Sequence, residues 1–107
     1  VLGLSENTGP VLSNEIFLPN AITLFQNSPN PFNPSTEIEF SLFSSSHISL
    51  KVYDINGGLV EEIINNKYYN PGKFSIVYEP KNLSNGLYFY ELNDGGNIIV
   101  KKMIYLK

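Results

Sequence analysis

Glu37-Ile38-Glu39-Phe40-Ser41-Leu42 and, after a serine-rich break, Ile48-Ser49-Leu50-Lys51-Val52-Tyr53 set the secondary structure of this chain. In both runs apolar residues alternate with polar ones. A period of two sends Ile38, Phe40 and Leu42 to one side of a strand and Glu37, Glu39 and Ser41 to the other. Ile48, Leu50 and Val52 repeat the pattern, and Ser44-Ser45-Ser46 marks the turn between the runs. The same reading extends in both directions. Ile22–Phe25 is a short strand. Leu59–Ile64 is another, less regular because Glu61 and Glu62 are adjacent. Lys73–Glu79 places Phe74, Ile76 and Tyr78 on one face, and Leu87–Leu92 does so for Tyr88, Tyr90 and Leu92. Asn97–Leu106 is the last strand, and its inward face is not fixed by the pattern. Asp54–Gly58, Asn65–Gly72, Pro80–Gly86 and Asn93-Asp94-Gly95-Gly96 read as turns or loops. Seven strands with short connections and no helical periodicity predict an all-β, antiparallel two-sheet sandwich.

Between the first two strands lies Gln26-Asn27-Ser28-Pro29-Asn30-Pro31-Phe32-Asn33-Pro34-Ser35-Thr36. Three prolines in six residues exclude a helix and remove ladder donors, so this is a stiff, irregular connection. Its asparagines are expected to cap local amides, and Phe32 to point inward as an anchor. Residues 1–20, broken by Gly3, Gly9, Pro10 and Pro19, read as a linker or short extension, leaving 21–107 for the sandwich. Val1, with no basic and apolar leader behind it, suggests a fragment or a mature product.

The chain has 107 residues, 42% hydrophobic and 16% charged, with a formal charge of -3. The length allows one small domain, too short for a (β/α)₈ barrel. No Arg and no basic footprint argue against a nucleic-acid partner. No Cys means no disulfide and no thiolate metal site. No apolar run is long enough for a transmembrane segment.

The chemistry-bearing residues read mostly as structural. Glu37, Glu39, Glu61 and Glu62 look like solvated strand surface and lack the facing geometry of a glycosidase pair. Asp54 with Asn56, and Asn93 with Asp94 and Asn97, would offer oxygens to calcium, but turn formation accounts for them. His47 has no partner set. Asn82-Leu83-Ser84 fits a glycosylation acceptor, a weak three-residue match. Neither a catalytic residue nor a cofactor or metal is expected. Tyr68, Tyr69, Tyr88 and Tyr90 would serve either a glycan-binding platform or core packing. At the terminus, Lys101 to Lys107 holds three lysines and no acid. That pattern suits protection of an edge strand and equally a basic signal held extended for a receptor.

Set beside one another, these blocks resemble the type A C-terminal sorting domain of the type IX (Por) secretion system of Bacteroidetes-like bacteria. Leu24-Phe25-Gln26-Asn27-Ser28-Pro29-Asn30-Pro31-Phe32-Asn33-Pro34-Ser35-Thr36 follows the family pattern except at Ser28, where Tyr is usual. Val52-Tyr53-Asp54-Ile55-Asn56-Gly57, Gly72 with the strand to Tyr78, Gly86-Leu87-Tyr88-Phe89-Tyr90, and Lys101-Lys102-Met103-Ile104 with Lys107 continue it. Tyr78-Glu79-Pro80 replaces the usual Trp-Asp-Gly. The chain is also similar to the immunoglobulin-like domain of flagellar hook-capping proteins.

The resemblance implies an immunoglobulin-like sandwich without catalysis. It would direct a larger N-terminal cargo through the periplasm, across the outer membrane and to the cell surface or beyond. Its partners would be the outer-membrane translocon and a sortase-like peptidase. Lys101, Lys102, Met103, Ile104 and Lys107 would carry recognition, alongside the motif loop Pro29, Asn30, Pro31, Phe32, Asn33 and Pro34. An exposed strand edge read by strand addition is the expected mode. The alternative is a carbohydrate-binding or passive spacer module of a secreted hydrolase.

Overall fold

The computed structural model describes residues 22–107, so the linker expected at 1–20 lies outside the described residues. Seven strands run in chain order: β1 (Ile22–Leu24), β2 (Thr36–Leu42), β3 (Ser46–Tyr53), β4 (Leu59–Tyr69), β5 (Gly72–Tyr78), β6 (Gly86–Asn93) and β7 (Ile98–Tyr105). They form two antiparallel sheets, ordered β1-β2-β5 and β4-β3-β6-β7. The predicted all-β sandwich is therefore the observed architecture.

The alternation in sequence becomes burial in space. Ile38, Phe40, Ile48, Leu50, Val52, Tyr90, Leu92 and Met103 are fully enclosed between the sheets. Removing this apolar surface from water is the main stabilising term. Phe40, Tyr69 and Phe74 join both sheets, with ring centroids 4.8–5.5 Å apart for the three pairs.

One element departs from expectation. Asn65–Gly72 reads as a loop, yet β4 continues through Asn65, Asn66 and Lys67 to Tyr69. Asn66 takes a positive φ of 47°, and the β3–β4 register shifts between Ile48 and Leu50. Asn tolerates that left-handed conformation, so the two asparagines make a bulge within a strand. The Asn66 N–H donates to Ser49 Oγ at 3.1 Å.

The turns are closed by carboxylates. Asp54 Oδ1 accepts from the N–H groups of Asn56 and Gly58, both at 2.9 Å. Asp94 Oδ1 accepts from those of Gly96 and Asn97, at 2.9 and 2.6 Å. Burial works to raise the Asp94 pKa, but these bonds and the Asn97 side chain outweigh it and hold the carboxyl below its ordinary value.

Candidate functional site

The proline connection closes onto the last strand. Asn27 is buried, and its N–H donates to the Tyr90 hydroxyl at 2.8 Å. That hydroxyl donates onward to the Phe25 carbonyl at 2.8 Å. Burial pushes the Tyr90 pKa up to about 12 against the lowering bond from Asn27, so the phenol is neutral. Asn27 Nδ2 also reaches the Pro29 carbonyl and Thr36 Oγ1, and Thr36 Oγ1 donates to the same carbonyl at 2.9 Å. The beginning and end of the connection are thus tied together above a core tyrosine.

The middle of the connection lies along β7. The Phe32 N–H donates to the Ile104 carbonyl at 2.9 Å, and the Leu106 N–H donates to the Phe32 carbonyl at 3.2 Å. The Ile104 N–H donates to Asn30 Oδ1 at 2.9 Å. Gln26 Nε2 donates to the Lys102 carbonyl at 2.7 Å. The Phe32 ring is buried and meets Tyr105 edge-on, centroids 5.2 Å apart. Phe32 points inward as expected. Asn30 does not cap a local amide; it serves an amide 74 positions away.

The edge expected to lie open for strand addition is occupied. The outer backbone edge of the terminal strand from Lys102 to Leu106 is not exposed for strand addition, because Gln26, Asn30 and Phe32 occupy it. A partner strand would need those same donors and acceptors.

The faces of β7, undecided in the sequence, are resolved by alternation. Ile99, Lys101, Met103 and Tyr105 share the inward register; Ile98, Val100, Lys102 and Ile104 lie outward. Met103 is completely buried, so its side chain packs the core and is not presented to a partner. Lys101 is half-buried. Lys102, Ile104 and Lys107 are exposed, and the Lys107 N–H donates to Asn85 Oδ1 at 2.7 Å. Pro29, Asn30, Pro31, Asn33 and Pro34 are exposed around the buried Phe32. Among the described residues the ion pairs are Lys51–Glu62 at 3.9 Å and Lys73–Glu39 at 3.7 Å, so the terminal lysines take part in neither.

The other sequence candidates fall elsewhere. Tyr88 and Tyr90 are core residues, and Tyr69 packs against Phe40 and Phe74. Tyr68 is exposed beside the His47 ring, centroids 5.3 Å apart, so these four tyrosines do not form one exposed row. Among the described residues there is no group of three or more His, Asp or Glu side chains placed to hold a metal ion. Gln26, Asn27, Thr36 and Tyr90 emerge as parts of the site that spacing did not reveal.

The polar network of the proline connection therefore holds the last strand of the sandwich along its outer edge. Residues 28–106 match the family described as the secretion system C-terminal sorting domain, and the match contains both Asn30 with Phe32 and the whole of β7. The chain belongs to that family, the C-terminal sorting domains of type IX secretion. Its role is that of a secretion sorting signal, which implies attachment to a cargo and interaction with the type IX machinery, with export to the surface or the medium. No curated protein matches the chain.

Proposed function

We propose that this domain, without catalysis of its own, directs an N-terminal cargo across the outer membrane to the cell surface. The outer-membrane translocon and a sortase-like peptidase are the partners. Lys101, Lys102, Ile104 and Lys107 supply the contact chemistry, Met103 supports them from the core, and the motif loop from Pro29 to Pro34 frames them. The observation that carries this reading is the composition of the outward face. Lys102 stands between Val100 and Ile104, 50% and 37% exposed, with no ion-pair partner among the described residues. An apolar row interrupted by a free cation suits a protein partner with an apolar surface and a carboxylate.

The test fuses residues 21–107 to a periplasmic reporter in a host with type IX secretion. The double substitution Lys101→Ala, Lys102→Ala leaves the buried set intact and is expected to lower surface export at least about tenfold, the weight of one or two charge contacts. Unchanged export would refute the assignment to these lysines.

A further inference from the structure

We infer that Gln26, Asn30 and Phe32 are positioning residues for the sorting signal: a strap that fixes the last strand so that its outward side chains, and not its backbone edge, meet the partner. The inference rests on the proposed reading of the terminus. It adds that a second segment, far away in sequence, determines how that terminus is shown.

Three observations carry it. First, the strap takes up the backbone at alternate residues. It engages the Lys102 carbonyl, both polar groups of Ile104, and the Leu106 N–H. These are the groups that face away from β6, so the terminal strand is held from both sides over its last residues. Second, the strap is itself fixed from beneath. The Asn27, Thr36 and Tyr90 network holds its two ends, and Phe32 is buried against Tyr105 and Tyr78, centroids 5.2 and 6.3 Å apart. Third, Gln26 and Asn30 are exposed residues. They fill no core space, and the bonds they make reach β7, with Gln26 also donating to neighbouring Asn27. A terminal strand with a bare outer edge frays readily. The strap removes that freedom, so Lys102 and Ile104 keep one orientation on the outer face.

Two modes of recognition then make opposite demands. A partner that reads side chains on the outer face needs the strap in place. A partner that adds a strand to β7 must first displace it, and weakening the strap would help.

The experiment uses the full chain for amide exchange and the fusion of residues 21–107 for export. Amide exchange is followed at Ile104 and Leu106, and export of the reporter fusion is measured in parallel. Asn30→Ala removes the acceptor for the Ile104 N–H without touching the core. Exchange at Ile104 is expected to rise about fivefold, the weight of one net hydrogen bond. Adding Gln26→Ala should extend the effect. Export should fall by a similar factor, with reporter levels in the periplasm unchanged. Asn30→Asp keeps an acceptor oxygen and should restore both. Faster exchange with unchanged or increased export would overturn the inference, and so would unchanged exchange in the double variant. The Lys101→Ala, Lys102→Ala fusion, in which the strap is intact, separates the two ideas. Normal export from it would remove the lysine reading while leaving Asn30 to be judged by its own result.

Discussion

On the flank where β1 and β7 meet, amides and hydroxyls close the sandwich: Gln26, Asn27, Asn30, Thr36 and Tyr90 each have a directed partner. On the opposite flank, where β4 and β5 are the outermost strands, rings from Tyr69, Phe40 and Phe74 do the closing. There the edges are protected by general means: register shifts along β4, with Glu61, Glu62 and Lys67 on β4 and Lys73 on β5. Packing tolerates small changes of shape because contacts are many and non-directional. The hydrogen bonds around buried Asn27, Thr36 and Tyr90 do not, because each lost partner there leaves a desolvated group behind. The first flank is therefore the one built for a defined geometry, and it is the one that carries the terminal strand.

The largest expected difference between the flanks is at Phe32 and Phe74. Phe32→Ala should cost about 3–5 kcal/mol, since the ring is buried and holds the strap. Phe74→Ala, at a ring only partly buried, should cost less than Phe32→Ala. Denaturant titration of both variants checks the contrast; equal losses would break it.

A finer comparison uses two buried tyrosines. The Tyr90 hydroxyl has a donor and an acceptor, whereas the Tyr78 hydroxyl has no partner among the described residues. Tyr90→Phe strands the Asn27 N–H and the Phe25 carbonyl and should cost about 1–3 kcal/mol. Tyr78→Phe removes an unsatisfied polar atom and should be neutral or stabilising. Parallel melting curves give the sign of each effect.

The smallest effect lies in the hairpin that leads into β7. Folding depresses the Asp94 pKa, so its contribution is complete above the ordinary carboxylate value. It is lost as pH falls through the lower folded value. The Tm of Asp94→Asn should therefore lie below that of the wild type at neutral pH and decline less steeply in acid, with the two curves converging as pH falls below the ordinary carboxylate range.

The strands were legible because alternation is a local signal. Ile38 to Leu42 and Ile48 to Val52 could be assigned to a face from sequence, and each is buried as read. β7 could not, because Ile98-Ile99-Val100 offers no polar residue to mark the outside. The Asn65-Asn66 pair misled for a related reason. Its residue types favour loops, and only pairing with β3 shows that they form a bulge. At the candidate site, the two distinctive blocks were visible separately as a proline connection and a lysine-bearing end. Their union was not. Asn30 and Ile104 are 74 positions apart, and Gln26 and Lys102 are 76 apart. Nothing in the spacing of either block records a contact at that range.

That separation has a consequence in time. A chain emerging from the ribosome exposes Asn30 and Phe32 before residues 104–106 have been made. Contacts this distant in sequence form late and slowly. Until they do, Phe32 has no Tyr105 to pack against and the Tyr90 side of the sandwich stays open. The closure of the strap thus waits on residues 104–106: it forms only once they have joined the fold.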